Sequence, residues 1–232
     1  MNVQELLANP PKLHGPEHAR FDSYRLEDEL FMFLDQQIKP GMRTLEIGAG
    51  SSTIIFAIKG ARHTCIVPDP VQIDRIRDFC ASHGVALDSV QFIAQPSQQA
   101  LPAIEERGFD CVLIDGNHGF PSVFVDWYYC ARLLRLGGIG IVDDLHIWTC
   151  NTLVDLLRDE PEWRLVKETS RAAIFAKLAE GSQDKEWTTQ AYVVRRSRGT
   201  ALLPKLLYLL QLVRRGNLGL LLHNILLRFK RA

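Results

Sequence analysis

Thr44-Leu45-Glu46-Ile47-Gly48-Ala49-Gly50-Ser51-Ser52-Thr53 is the stretch on which the fold turns. Its first half suits a short buried strand, and two glycines follow at once. Glycines there let the backbone turn sharply and come close to a ligand, while the next helix offers its N-terminal amides. A nicotinamide-binding fingerprint would want a third glycine at position 53, where Thr53 stands. A Gly-x-Gly pair alone fits a purely structural tight turn equally well. Glu46, two residues before the first glycine, tilts the balance. An acid there opposes an anionic pyrophosphate but suits a ligand carrying an ammonium or sulfonium.

The pattern on either side repeats this strand-then-helix unit. Short apolar runs suited to buried strands stand at 43–47, 63–67, 90–94, 110–114 and 139–143, separated by helical patterns at 52–59, 70–82, 97–106, 122–135 and 151–158. Strict alternation predicts βαβ units, hence a parallel sheet with helices on both faces. Runs at 163–168 and 172–177 lie close enough to pair as an antiparallel hairpin at the sheet edge. The expected class is therefore α/β, a Rossmann-like doubly wound sheet of seven strands. Before it, residues 1–22 read as an irregular leader with a short helix, and Leu26 to Ile38 as an amphipathic helix stopped by Pro40-Gly41. Three segments follow: 1–40, a leader and helix on the substrate side; 41–180, the ligand-binding domain; and 181–232, a linker and helical hairpin.

Leu45-Glu46-Ile47-Gly48-Ala49-Gly50-Ser51-Ser52 resembles the first motif of class I S-adenosylmethionine-dependent methyltransferases. That resemblance covers about residues 25–178 and implies that Glu46, Gly48 and Gly50 surround the methionine part of the cofactor, with Ala49, Ser51 and Ser52 nearby. The family usually ends its second strand with an acid that holds the ribose hydroxyls. Here that position is Val67, and Asp69 stands two residues on, either as a helix N-cap or as the ribose ligand. Ser97, in Gln95-Pro96-Ser97-Gln98, occupies the place where related enzymes contact adenine, and it equally suits a helix cap.

Ligands of such sheets bind beyond the carboxyl ends of the strands. The fourth strand ends in Asp115-Gly116-Asn117-His118, and the fifth in Asp143-Asp144. Three carboxylates and a histidine converge there, and their mutual repulsion calls for a cation. The spacing from Asp115 to Asp143 and Asp144 is similar to the metal-ligand pattern of the catechol O-methyltransferase type, with Asp144 in place of its asparagine. That resemblance implies Asp115, Asp143 and Asp144 as ligands of Mg²⁺ or a similar hard cation. His118 falls where the same type carries its catalytic lysine, which makes it the candidate general base. Asp115 and His118 are the candidate catalytic pair, and metal-assisted catalysis, metal-free base catalysis, and a reading in which Asp115 contacts the cofactor while His118 and Asp143 or Asp144 cap helices all remain open at this point. His14, His18, Arg20, Tyr24 and Trp148 are candidates for substrate contact.

Composition limits the remaining choices. The 232 residues are 47% hydrophobic and 23% charged, values of an ordinary globular protein. Net charge is zero, with 27 basic and 27 acidic side chains, yet residues 187–232 hold nine bases and no acid. The body is thus acidic and the tail basic. Leucine-rich runs at 201–213 and 218–229 read as a hairpin apolar around most of its circumference, which must pack on the body, on a second subunit or on an anionic membrane. Nucleic acid is not an expected partner, because the bases interleave with leucines rather than aromatics. The five cysteines show no metal or disulfide spacing, and the chain begins without a signal-peptide pattern, so a cytoplasmic protein with free thiols is expected, peripheral to a membrane if the hairpin binds one.

Together these features predict a methyltransferase that uses S-adenosylmethionine, with or without Mg²⁺. The acceptor would be a hydroxyl on a small molecule, sugar or lipid-linked compound. Its residues 200–232 would mediate homo-oligomer or membrane contact. The alternative is a non-catalytic binding or scaffold protein on the same fold, its cofactor affinity weakened by Val67.

Overall fold

In the computed structural model, the described residues are 1–14, 26–200, 202–216 and 219–220. His18, Arg20, Tyr24 and all but Gly219 and Leu220 of the second leucine-rich run lie outside them. The chain divides into two compact units, Met1–Asp184 and Lys185–Ala232.

The first unit is built on strands β1 (Arg43–Ile47), β2 (Arg62–Ile66), β3 (Val90–Ile93), β4 (Phe109–Ile114), β5 (Leu134–Val142), β6 (Trp163–Glu168) and β7 (Ala173–Lys177). They form one sheet in the order β3-β2-β1-β4-β5-β7-β6. Neighbours among the first five pair parallel, whereas β7 runs antiparallel to both β5 and β6. The expected seven-stranded sheet with its terminal hairpin is what the chain forms. One boundary moves substantially: β5 starts at Leu134, because the Gly137-Gly138 segment is carried within the strand rather than ending a loop before it.

Helices α1 (Val3–Ala8), α2 (Asp28–Gln37), α3 (Ser51–Ile58), α4 (Pro70–Ser82), α5 (Ser97–Ala100), α6 (Ser122–Leu133) and α7 (Trp148–Asp159) complete the unit. Successive strand residues point to opposite faces, and both faces are buried, so β4 carries apolar side chains at every position from Cys111 to Ile114. Cys111 and Leu113 join Leu30, Phe31, Ile54 and Phe56 from α2 and α3 in one core. Val112 and Ile114 join Trp127, Cys130, Leu153 and Leu157 from α6 and α7 in the other. The leader is part of this body, since Val3, Leu6 and Leu13 are buried in the α2–α3 core. All five cysteines are buried and free.

The chain leaves β1 in one direction across the sheet, to β2 and β3, then returns to place β4 on the other side of β1. That reversal opens a crevice past the ends of β1 and β4, where ligands of doubly wound sheets bind.

The second unit contains α8 (Ala191–Thr200) and α9 (Leu202–Arg214), joined through a single residue. Sequence periodicity predicts α9 and treats the α8 region as linker. Two valines and a glycine lower the intrinsic helix propensity of Ala191–Thr200, which hides this helix from its composition.

Candidate functional site

The strand-end crevice is a cavity of about 540 Å³ lined by residues from every element that ends there. Gly48, Ala49, Gly50, Ser51 and Ser52 supply the wall after β1, and Ile66, Val67 and Pro68 the wall after β2. Pro96, Ser97 and Gln98 follow β3, Asp115 to His118 follow β4, and Asp143 and Asp144 follow β5.

Gly48 fixes how two of these walls meet. Its φ of +99° lies in the left-handed region, and a Cβ built there would stand 2.0 Å from the carbonyl oxygen of Asp115. Only glycine allows the β1 and β4 loops to lie this close. At Gly50 a Cβ would meet nothing within 4 Å, so the backbone there borders open space.

Glu46 and Asp69 do not line the cavity. The Glu46 side chain is fully buried and accepts hydrogen bonds from Ser52 and, at 2.6 Å, from Thr53, with His63 Nε2 at 3.2 Å. His63 Nδ1 lies 2.8 Å from Thr44 Oγ1, and the Phe56 ring stacks on the imidazole. The Cys65 thiol donates to the carbonyl of Gly48 at 3.3 Å, and the Gly50 amide to Thr53 Oγ1 at 3.1 Å. Burial, then the charge of Glu46, pushes that thiol well up, which keeps it protonated and able to donate. Glu46 thus sits beneath the glycine loop and braces it, where the sequence reading set it against the ligand. Asp69 caps α4, accepting from the Val71 amide at 2.9 Å, and its side chain is exposed. In its place Val67 forms an apolar wall, and Gln72 enters from α4, donating to the Ala49 carbonyl at 2.6 Å. Ser97 lies in the first turn of α5 facing the cavity, with the buried Asp126 of α6 close behind.

At the acidic end the charges are arranged by a residue that the sequence motifs do not reveal. Arg171, in the turn between β6 and β7, lines the cavity and donates through Nη2 to Asp144. Glu27 at the start of α2 holds that turn, accepting from the Ser170 hydroxyl at 2.5 Å and from the Arg171 amide at 3.2 Å. Asp144 has a left-handed backbone, with φ of 58°, and it also receives His118 Nε2 at 3.1 Å. Against the cost of burial, His118 and Arg171 hold the Asp144 carboxyl down at about 2. Asp143 is buried, and its Oδ1 has no hydrogen-bond partner. Burial pushes Asp143 up to about 6, with the Asp144 charge adding to the rise. Burial raises Asp115 well above the usual carboxylate range, and Asp143 and Asp144 reinforce the effect.

His118 does not have the environment of a base. Besides the Asp144 contact at Nε2, its Nδ1 lies 3.3 Å from the Cys150 thiol, so both ring nitrogens are occupied. Burial opposes the charge, but the hydrogen bond to Asp144 outweighs it, and the imidazole is pushed up to about 10. At neutral pH it is a cation that has no lone pair to give.

Among the described residues, two groups bring three potential metal donors together within 4.8 Å: Asp115, His118 and Asp144, and the buried Glu46, His63 and Cys65. The expected trio of Asp115, Asp143 and Asp144 is not one of them. A hard cation wants oxygen donors with free lone pairs. Here a protonated imidazole takes the third corner, and Arg171 already neutralises Asp144. The arrangement does not fit Mg²⁺; the cation demanded by the carboxylates is supplied by Arg171 and His118.

Residues 45–145 match the profile of a family described as "Methyltransferase domain". This stretch of the chain is similar to a methyltransferase domain. The matched segment runs from β1 to just past β5, and so contains the glycine loop and all three acids of the cavity. Similar folds stand among solved structures, two of the following three being methyltransferases. The cofactor-bound Rv0187 protein from MTB is 19% identical, with a TM-score of 0.59, covering 75% of this chain and 95% of its own. An O-methyltransferase from Bacillus cereus in complex with SAH is 20% identical, with a TM-score of 0.56, covering 76% and 90%. The SAH-bound methyltransferase PaMTH1 from Podospora anserina is 19% identical, with a TM-score of 0.53, covering 70% and 84%. A search of curated proteins finds no match.

His14, one of the leader candidates, lines the cavity, whereas Trp148 is exposed at the start of α7 and does not. Gln72, Arg171 and Asn117 line it without having been singled out in the sequence. Gln72 and Asn117 carry no local motif. Arg171 was within reach of one question, namely which base balances three converging acids.

Proposed function

We propose that the protein transfers a methyl group from S-adenosylmethionine to a hydroxyl of a small molecule, a sugar or a lipid-linked acceptor. The observation that carries this reading is the buried, unpartnered Oδ1 of Asp143 in a cavity whose opposite wall is the glycine loop. Bound S-adenosylmethionine would supply an electrophilic methyl on a sulfonium. Gly48 to Ser52 would hold its methionine portion, Ser97 and Gln98 its adenine, and Gln72 the ribose end left without an acid by Val67. A cavity of about 540 Å³ suits a ligand of that size.

Asp143 is the general base in this reading. With a pKa of about 6 it is ionised at neutral pH, yet basic enough to accept the proton of a hydroxyl as that oxygen attacks. His118 and Arg171 keep the neighbouring Asp144 charged and fixed, so the base is not free to share its proton with it. Burial and the charges of Asp143 and Asp144 disfavour a further negative charge on Asp115. The remaining contribution is alignment of acceptor oxygen and methyl carbon by a preformed cavity.

Calorimetric titration with S-adenosylmethionine, with Mg²⁺ and with a chelator, tests the proposal. Equal binding under both conditions is expected, followed by methyl transfer to hydroxyl acceptors in a substrate screen with both metal states equally active. Absence of binding under both conditions overturns it.

A further inference from the structure

We infer that the second unit docks on the surface of an anionic lipid membrane through the face of α9 that carries Leu206, Leu210 and Val213. These residues recur at four- and three-residue steps, which puts them on one side of the helix. Each is about half exposed, as are the adjacent Leu207 and, to a lesser degree, Tyr208. Five large apolar side chains on one exposed 13-residue helix form a patch that water does not favour.

The same segment is charged with one sign only. Residues 187–232 hold nine bases and no acid. Arg214 and Arg215 close the apolar helix, and Arg195, Arg196 and Arg198 are exposed on α8 beside it. A helix of 13 residues is about 20 Å long, short of the roughly 30 Å hydrocarbon core, and no helix among the described residues is long and apolar enough to cross a membrane. An apolar face with basic flanks and insufficient length is the signature of a helix lying in the interface. A symmetric pairing of two copies through this face would bring two wholly basic segments together. An anionic bilayer satisfies the charge and the apolar face at once.

The test is co-sedimentation of the full chain with phosphatidylcholine vesicles, alone or with about one third phosphatidylserine. Binding at least tenfold tighter to the anionic vesicles is expected. It should fall when salt rises from about 0.1 M to about 1 M, which shortens the screening length from about 10 Å to about 3 Å. Leu206→Ser/Leu210→Ser/Val213→Ser and Arg214→Glu/Arg215→Glu should each reduce it by about tenfold, with circular dichroism and donor binding unchanged. Equal partitioning to both vesicle types, or wild-type binding by both variants, overturns the inference. So does absence of vesicle binding with a dimer in light scattering that the serine variant dissociates. Donor binding on the same preparation reports separately on the methyltransferase reading.

Discussion

Asp143→Asn should stabilise the fold above pH 6 while removing most of the activity. Asp143 is raised from 3.8 to about 6, so its ionised form is disfavoured in the folded state. The sign follows from linkage. A group raised on folding contributes stability that is complete below its unfolded pKa and is lost as pH rises through the folded value. At pH 8 that loss amounts to about 3 kcal/mol, at about 1.4 kcal/mol per unit. Asparagine is neutral throughout and escapes it, but buries an amide where Oδ1 has no partner, at a cost of about 1 kcal/mol. The net gain is about 2 kcal/mol, or roughly 4–8 °C in melting temperature for a chain of this size. Loss of a general base lowers kcat by about 10²- to 10⁴-fold. Thermal melts at pH 4 and pH 8, with kcat at pH 8, provide the check. The variant should gain at pH 8 and not at pH 4, where the wild-type carboxyl is already protonated. A variant that melts lower at pH 8 and retains activity would refute both the burial argument and the role of Asp143.

The other expectations concern the groups that hold the site. Arg171→Met leaves Asp144 with His118 as its main cation; melting should fall by the equivalent of about 2 kcal/mol, and the Asp144 carboxyl should titrate higher by NMR. Gly48→Ala forces a Cβ to within 2.0 Å of the Asp115 carbonyl at a left-handed backbone position; a loss of about 2–4 kcal/mol and at least tenfold in donor affinity by calorimetry is expected. His63→Phe removes one partner of Glu46 behind the loop; donor affinity should fall by about tenfold with kcat at saturation little changed, about 1–3 kcal/mol of stability being lost as well.

The elements were readable because their signals are local. Apolar runs bounded by glycine and proline mark β1 to β7, and Gly48 announces its turn without any knowledge of what lies opposite. Roles within the site depend on what reaches each atom from afar. Strand alternation says that Glu46 opposes Leu45 and Ile47 in direction, but not that His63, Ser52 and Thr53 occupy that side. The position of His118 followed from its spacing, whereas its charge comes from Asp144, brought in by β5, and Cys150, by α7. Val67 lines the cavity after β2, and the Asp69 carboxylate caps α4 through the Val71 amide. The α8 helix was missed for the opposite reason: its own residues prefer other conformations.

Arg171 also bears on the order in which the protein is made. The methyltransferase match closes at residue 145, yet the guanidinium that balances Asp144 is encoded 27 residues after it, in a turn clamped by Glu27 from near the beginning. A nascent chain that has folded through β5 therefore has His118 as the main cation for its acids until the last hairpin closes. The matched central segment is not a portable module: grafted onto another scaffold, it would import all three acids with His118 but leave Arg171 behind.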